Sequence, residues 1–266
     1  MGIVNLTPDS FSGDGILAKS PQETLERAVA RAWEQIEAGA DILDFGAEST
    51  RPGSVPTPED EELRRILPAL EALSGCGVPL SVDTCKPAVM KAALAAGAAM
   101  INDICALQAP GAVEAVAGSG CALCLMHMQG TPQTMQEAPH YHDIVSEVRD
   151  FFAARVAALT SAGIARERLI LDPGFGFGKT QEHNLRLLAR LDSLRVEGLP
   201  LLAGLSRKSL LGALTGRPVS ERGAASLAAA MLAVERGAAI VRVHDVAATR
   251  DALAVHAALK EMERKQ

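Results

Sequence analysis

Aromatic residues are scarce in this 266-residue chain: one Trp, one Tyr and six Phe, 3% in all. Its core must therefore be built from aliphatic side chains, and hydrophobic residues, rich in Ala and Leu, reach 48%. That is the composition of helices packed on a parallel sheet, and it is ample for a sizeable core. Positive charge is also lacking. The net charge of −6 excludes a broad nucleic-acid-binding surface, so any anionic ligand needs a local cluster of cations. Cysteine is limited to Cys76, Cys85, Cys105, Cys121 and Cys124. An odd number without framework spacing excludes a disulfide scaffold and points to a reducing compartment. No apolar run has membrane length and no signal-type leader pattern occurs. The expectation is a soluble cytoplasmic protein with neither a membrane nor a nucleic-acid partner.

What the chain does have is one local pattern used repeatedly: a strand-like apolar run that ends in polar residues. Leu201–Leu205 runs into Ser206-Arg207-Lys208-Ser209. The same change occurs at Asp83-Thr84, Asn102-Asp103, His127, Asp172-Pro173-Gly174 and Arg242-Val243-His244-Asp245. Six such endings describe one polar face gathered over an apolar interior.

Taken in order, the predicted strands are 2–6, 41–45, 80–83, 100–102, 122–126, 169–171, 201–205 and 239–243, and the predicted helices 21–38, 58–73, 86–96, 111–117, 143–162, 182–194, 220–235 and 247–262. Ser20 reads as an N-cap ahead of Pro21, with Glu23 at the capping-box position, and Gly39 as a stop. Residues 58–73 begin acidic, as the helix dipole prefers. Eight strand–helix units in strict alternation imply a parallel sheet with right-handed crossovers, and eight favour a closed α/β barrel, a single (β/α)8 TIM barrel spanning 1–266, over an open Rossmann-like sheet. In such a barrel the loops after the strand C-termini hold the site, and every polar cluster named above falls there.

Asp83, Asn102 and Asp172 end three strands. Carboxylates at an apolar mouth are costly unless paired, and together with an amide they can accept N–H groups from a flat nitrogen heterocycle. The structural alternative is that Asp83 caps the next helix and Asp172 orders its turn. Arg51, Lys208, Arg242 and His244 bring cations to the same face, suited to phosphate; Arg51 alternatively reads as a solvated loop charge. Asn5 offers an amide oxygen for Mg²⁺ alongside phosphate oxygens, or else orders its own loop.

Several apparent motifs fail. Gly178-Lys179-Thr180 resembles the end of a P-loop, but Pro173 stands where Gly is required. Gly174-x-Gly176 lacks the third Gly of a dinucleotide fingerprint, so its glycines serve a tight turn or close ligand approach. Cys121 and Cys124 lie three apart on a strand, face opposite ways and share no metal. His140 and His142 read as surface loop. Cys85 reads as a helix-entry residue, with no His in its segment to activate it.

Read together, Asn5-Leu6-Thr7-Pro8-Asp9-Ser10-Phe11-Ser12, Glu48-Ser49-Thr50-Arg51-Pro52-Gly53, Ser81-Val82-Asp83-Thr84, Ile101-Asn102-Asp103-Ile104, Met126-His127-Met128-Gln129-Gly130-Thr131-Pro132, Asp172–Lys179, Ser206-Arg207-Lys208-Ser209 and Arg242-Val243-His244-Asp245-Val246 resemble the dihydropteroate synthase family over nearly the whole chain. The resemblance implies condensation of 6-hydroxymethyl-7,8-dihydropterin pyrophosphate with p-aminobenzoate, Mg²⁺ as cofactor and a homodimer. It implies that Asp83, Asn102, Asp172 and Lys208 hold the pterin, beside Ile104, Met126 and Gly204. Asn5, Arg242 and His244 would hold pyrophosphate and the metal, with Asn5 as metal ligand. Thr50, Arg51, Pro52, Phe177 and Ser206 would shape the p-aminobenzoate site, and Asp83, Lys208, Arg242 and His244 would be catalytic. The chain departs from the family pattern at Cys85, where Ser is usual, at Ala47, where Gly is usual, and in the order Gly13-Asp14-Gly15. The hairpin usual before the first strand is not in this sequence, so the expectation is either a less plugged barrel bottom or a sequence trimmed at its start. A methyltetrahydrofolate–corrinoid methyltransferase would share the acid set without needing the cations, and a non-catalytic pterin-binding paralogue would have lost some of them; Arg51, Lys208, Arg242 and His244 are all retained.

Overall fold

The computed structural model describes residues 1–7, 15–18, 20–50 and 53–265. Its strands are β1 (Gly2–Asn5), β2 (Leu43–Gly46), β3 (Leu80–Asp83), β4 (Met100–Asp103), β5 (Ala122–Met126), β6 (Leu169–Asp172), β7 (Leu201–Ala203) and β8 (Ala238–Val241). The helices are α1 (Pro21–Glu37), α2 (Glu59–Ala72), α3 (Pro87–Ala95), α4 (Ala112–Ala117), α5 (Ile144–Ser161), α6 (Gln181–Ala189), α7 (Ser209–Thr215), α8 (Gly223–Glu235) and α9 (Val246–Arg264). Strands pair in parallel and in chain order, β1 through β8. A parallel bridge between Gly2 and Val243 joins the last strand to the first, where the Ile3 N–H donates to Val243 O at 3.2 Å. The result is the expected (β/α)8 barrel.

Local chemistry sets the helix ends. Ser20 Oγ accepts from the Glu23 N–H at 3.1 Å, Pro21 opens α1, and Gly39 closes it at φ 91°. Asp143 caps α5 by accepting from the Val145 N–H. Two expectations need correction. The helix expected to run to Leu194 stops at Ala189; Arg190 leaves helical geometry at φ −121°, and a 3₁₀ turn covers Leu191–Leu194. The strand expected over 201–205 ends at Ala203, and α7 follows the Ser206–Lys208 turn. That short helix carries Gly212 inside it, packed against the Arg222 guanidinium, which a Cβ there would displace, and Gly weakened its helical signal.

The period-2 alternation of each strand separates two apolar layers. Outward residues such as Phe45, Val82, Ile101, Leu125 and Leu171 join the main core beneath the helices. Inward residues Met1, Met100, Cys124, Ile170 and Leu202 form a second cluster that fills the N-terminal half of the barrel interior. Above that plug, inward positions turn polar: Asp44 and Ser81, then Asn102, Asp83 and Asp172.

Candidate active site

Thirteen residues expected at the site line one cavity at the C-terminal mouth of the barrel. β1 and β2 contribute Asn5 and, on the loop after β2, Thr50. β3, β4 and β5 contribute Asp83, Asn102, Ile104 and Met126. β6 and β7, with their loops, contribute Asp172, Phe177, Gly204, Ser206 and Lys208. Arg242 and His244 complete the ring after β8. Arg51 and Pro52 lie outside the described residues. Glu48, Met135 and Phe175 also face the cavity; Met135 sits in the polar loop after β5, where no periodicity marks an inward residue.

The centre of the electrostatics is Asp44, which the sequence reading passed over. It is fully buried. Its Oδ1 accepts from Ser81 Oγ at 2.6 Å, and its Oδ2 accepts from Asn102 Nδ2 at 3.2 Å and Arg242 Nε at 2.5 Å. A carboxylate can only accept, so Asn102 turns its amide nitrogen to Asp44 and its oxygen away from it. Arg242 also donates from Nη2 to Asp83 Oδ2 at 3.3 Å. Burial works against the Arg242 charge, but Asp44 and Asp83 outweigh it and hold the guanidinium ionised. Two of its five N–H donors are thereby occupied, and the rest remain for an anion.

Burial pushes the Asp83 carboxyl up to about 7, with Arg242 opposing. Asp83 does not cap the next helix: Lys86 occupies the α3 N-cap and no side chain caps it. Asp172 does order its turn, since Oδ1 accepts from the Gly174 N–H at 2.8 Å; burial raises its pKa while the nearby Lys208 opposes. Burial lowers Lys208 to about 8, against the pull of Asp172. Its ammonium donates to Phe175 O and stands 4.9 Å over the Phe177 ring. His244 Nδ1 lies 2.8 Å from Ser206 Oγ, which also accepts the His244 backbone N–H at 3.3 Å.

The loops are tied to one another. Lys179, the residue of the failed P-loop match, is buried and binds no outside group: its Nζ reaches His127 Nδ1 at 3.0 Å and the carbonyls of His127, Gly174 and Phe177 at 3.1, 3.0 and 2.8 Å. The glycines beside it serve loop-to-loop approach. A Cβ on Gly174, at φ 65°, would sit 2.0 Å from His127 O, so only Gly fits. The loop after β2 is pinned through Glu48, which shares Lys86 Nζ with the buried Glu62, and its Gly53 N–H donates to Pro132 O at 3.2 Å. Cys121 and Cys124 are both buried and unbridged, and His140 and His142 are exposed, as expected.

The metal donor set is sparse. Asn5 Oδ1 and Asp83 Oδ2 both lie beside Gly46: a Cβ there would be 3.9 and 3.8 Å from them. Among the described residues no group of three or more His, Cys, Asp or Glu is placed to hold a metal ion. One hard amide oxygen beside a carboxylate suits a cation completed by phosphate oxygens and waters, as Mg²⁺ prefers, and not a zinc cage.

An eight-stranded barrel whose mouth sets acids and an amide against cations belongs to the pterin-binding class, and the family model described as pterin binding enzyme matches residues 1–244. Dihydropteroate synthase of Escherichia coli K12 is 50% identical over 268 residues, covering 100% of this chain and 93% of that protein. The structure of Burkholderia cenocepacia dihydropteroate synthase complexed with 7,8-dihydropteroate aligns with TM-score 0.90 and 54% identity, over 100% of this chain and 92% of the other. That of the Xanthomonas albilineans enzyme with 4-aminobenzoic acid aligns with TM-score 0.89 and 52% identity, over 98% and 92%. The chain belongs to the dihydropteroate synthase family.

Proposed function

We propose that this chain condenses 6-hydroxymethyl-7,8-dihydropterin pyrophosphate with p-aminobenzoate, giving 7,8-dihydropteroate and pyrophosphate. The observation that carries the reading is the convergence of Asp83, Asn102, Asp172, Lys208, Arg242 and His244 on one cavity. Asp83, Asp172 and the Asn102 amide oxygen accept the N–H edge of the pterin. Arg242 and the His244 imidazole meet the pyrophosphate. As the C–O bond to the leaving group breaks, negative charge grows on pyrophosphate beside Arg242, and positive charge on the exocyclic methylene beside Asp83. The aryl amine then attacks that carbon and its proton passes to solvent or to departing pyrophosphate. No side-chain nucleophile is needed. Thr50, Phe177, Ser206 and the Lys208 stem flank the p-aminobenzoate, with Arg51 and Pro52 assigned there by resemblance alone. Asn5, with phosphate oxygens of the substrate, would hold Mg²⁺, which would supply charge neutralisation for the leaving group.

The apolar stripe Val255, Leu259 and Met262 on α9, 73%, 56% and 57% exposed, with the exposed Leu232 on the adjoining α8, supports a homodimer through these helices. Sedimentation of the chain at its monomer mass of 27.8 kDa would rule that out. Five free thiols support a reducing, cytoplasmic setting, and no helix among the described residues is long and apolar enough to cross a membrane. The direct test supplies both substrates with Mg²⁺ and measures dihydropteroate. Lys208→Ala and Arg242→Ala should each abolish it while circular dichroism stays unchanged; failure of the unaltered chain to form product overturns the proposal.

A further inference from the structure

The loop after β2, which carries Thr50 to the cavity, is closed at its neck by an ion cluster that takes no part in the chemistry above. Glu48 stands two residues past the end of β2, its side chain 17% exposed. Its Oε1 accepts from the Thr57 N–H at 3.2 Å, so the chain leaving the barrel meets the chain returning to α2. Its Oε2 accepts from Lys86 Nζ. Lys86 is the N-cap of α3, three residues beyond the end of β3, and its ammonium also donates to Glu62 Oε2 at 2.5 Å. Glu62 lies in the first turn of α2 and is fully buried. Beyond the neck the loop is drawn in once more, where Ser54 Oγ donates to Ser49 O at 2.5 Å. One ammonium thus joins the ends of β2 and β3 to the start of α2.

The cluster holds more negative charge than the burial of Glu62 requires. Lys86 alone would neutralise Glu62, and a second carboxylate crowded against the pair costs electrostatic repulsion. What that second carboxylate adds is a link from the buried pair to the loop. We propose that Glu48 is a positioning residue for the aryl amine, held by Lys86 so that the neck of the loop, and Thr50 with it, keeps its place on the p-aminobenzoate side of the cavity. The inference rests on the function proposed above and adds the residues that hold that half of the site. The pterin acceptors Asp83, Asn102 and Asp172 stand on β3, β4 and β6 and not on this loop, so loss of the link falls on p-aminobenzoate.

Glu48→Gln tests this without disturbing the Lys86–Glu62 pair. Lys86→Met would instead leave Glu62 buried without a counter-ion and is expected to unfold the chain. A Gln amide has one oxygen where the carboxylate has two. The charged ammonium is the stronger donor and keeps that oxygen, which leaves the NH₂ facing the Thr57 N–H, donor against donor. Hydrogen exchange at the Thr57 amide is therefore expected to quicken about tenfold as the neck opens. In steady-state kinetics KM for p-aminobenzoate should rise about tenfold, as loss of one such hydrogen bond implies. The kcat and the KM for the pterin pyrophosphate should stay within about twofold, a split that a merely structural contact would not produce. Lys86→Arg, which retains a cation with donors for both carboxylates, should stay within about threefold of the unaltered chain in both measurements. Unchanged exchange at Thr57, an unmoved KM for p-aminobenzoate, or an equal rise for both substrates overturns the proposal. Absence of product from the unaltered chain overturns the proposed function instead, and exchange at Thr57 still decides whether Glu48 holds the neck.

Discussion

Asp44→Asn isolates one charge at the centre of the site. The amide keeps the volume of the carboxyl, and its acceptor and donor ends have places to go. The oxygen can stay towards Arg242 Nε and Asn102 Nδ2, and the NH₂ can turn to the Ser81 hydroxyl, which accepts as well as donates. Geometry is preserved and the negative charge is lost. Hydrogen bonds to charged groups contribute roughly 1.5–3 kcal/mol, against roughly 0.5–1.5 for neutral ones. Arg242 still keeps Asp83 as a counter-ion at 3.3 Å, so the loss belongs in the middle of that range, about 2 kcal/mol. With its charge now balanced by Asp83 alone, the guanidinium is drawn towards the pterin acceptor and away from the leaving group. Two kcal/mol of transition-state stabilisation is about 30-fold in kcat/KM for the pterin pyrophosphate. Most of it should appear in kcat, because Asp172 and Asn102 still receive the pterin, and KM for p-aminobenzoate should stay within about twofold. Urea unfolding should lose about the same 2 kcal/mol, since the site of Asp44 is fully buried and solvent cannot make up for the weakened bond to Arg242. Steady-state kinetics that leave kcat/KM within twofold of the unaltered chain would refute the claim that Asp44 positions Arg242.

The pH profile follows from two shifted groups. Asp83 must be ionised to accept the pterin N–H, and burial has raised it to about 7; Lys208 must be protonated, and burial has lowered it to about 8. The kcat/KM for pterin should therefore rise with pH through about 7 and fall above about 8, and an acid limb near the ordinary carboxylate value of about 4 would contradict the burial argument. Gly174→Ala forces a Cβ to 2.0 Å from His127 O and should unfold the β5–β6 loop tie. We expect at least about 3 kcal/mol lost in urea unfolding, and a variant of native stability would show that the loops are not locked together there. Dialysis against EDTA should abolish turnover and MgCl₂ restore it, without a change in melting temperature beyond about 2 °C, because one amide is too little to make the metal structural; full activity in EDTA would remove Mg²⁺ from the scheme.

The rim residues were legible for a physical reason. A polar side chain that ends an apolar strand must face either a cavity or solvent, and eight strands of one hand leave a single cavity for Asp83, Asn102, Asp172 and Arg242 to share. Asp44 obeys the same alternation but sits inside its strand. Nothing near it in sequence marks it as functional, because its partner Arg242 is 198 residues away. Lys179 shows the reverse case: its spacing resembles the end of a P-loop, a match that Pro173 rules out, but what it does instead was not legible, because its surroundings, three carbonyls and an imidazole, exist only once two loops meet. The helix break at Arg190 and the short α7 were hidden because their signals come from neighbours, not periodicity. The common cause is that a strand-end residue announces its exposure locally, whereas neutralisation is a contract between distant strands. For this site the difference is chemical. The sequence placed acids on the pterin side and bases on the pyrophosphate side, yet Arg242 is paired with both Asp44 and Asp83. Substrate must therefore compete with an existing ion pair: pterin N–H groups draw Asp83 away as pyrophosphate oxygens draw Arg242. Each half of the substrate eases the capture of the other, so the intact pterin pyrophosphate should bind more tightly than its two fragments suggest when measured separately.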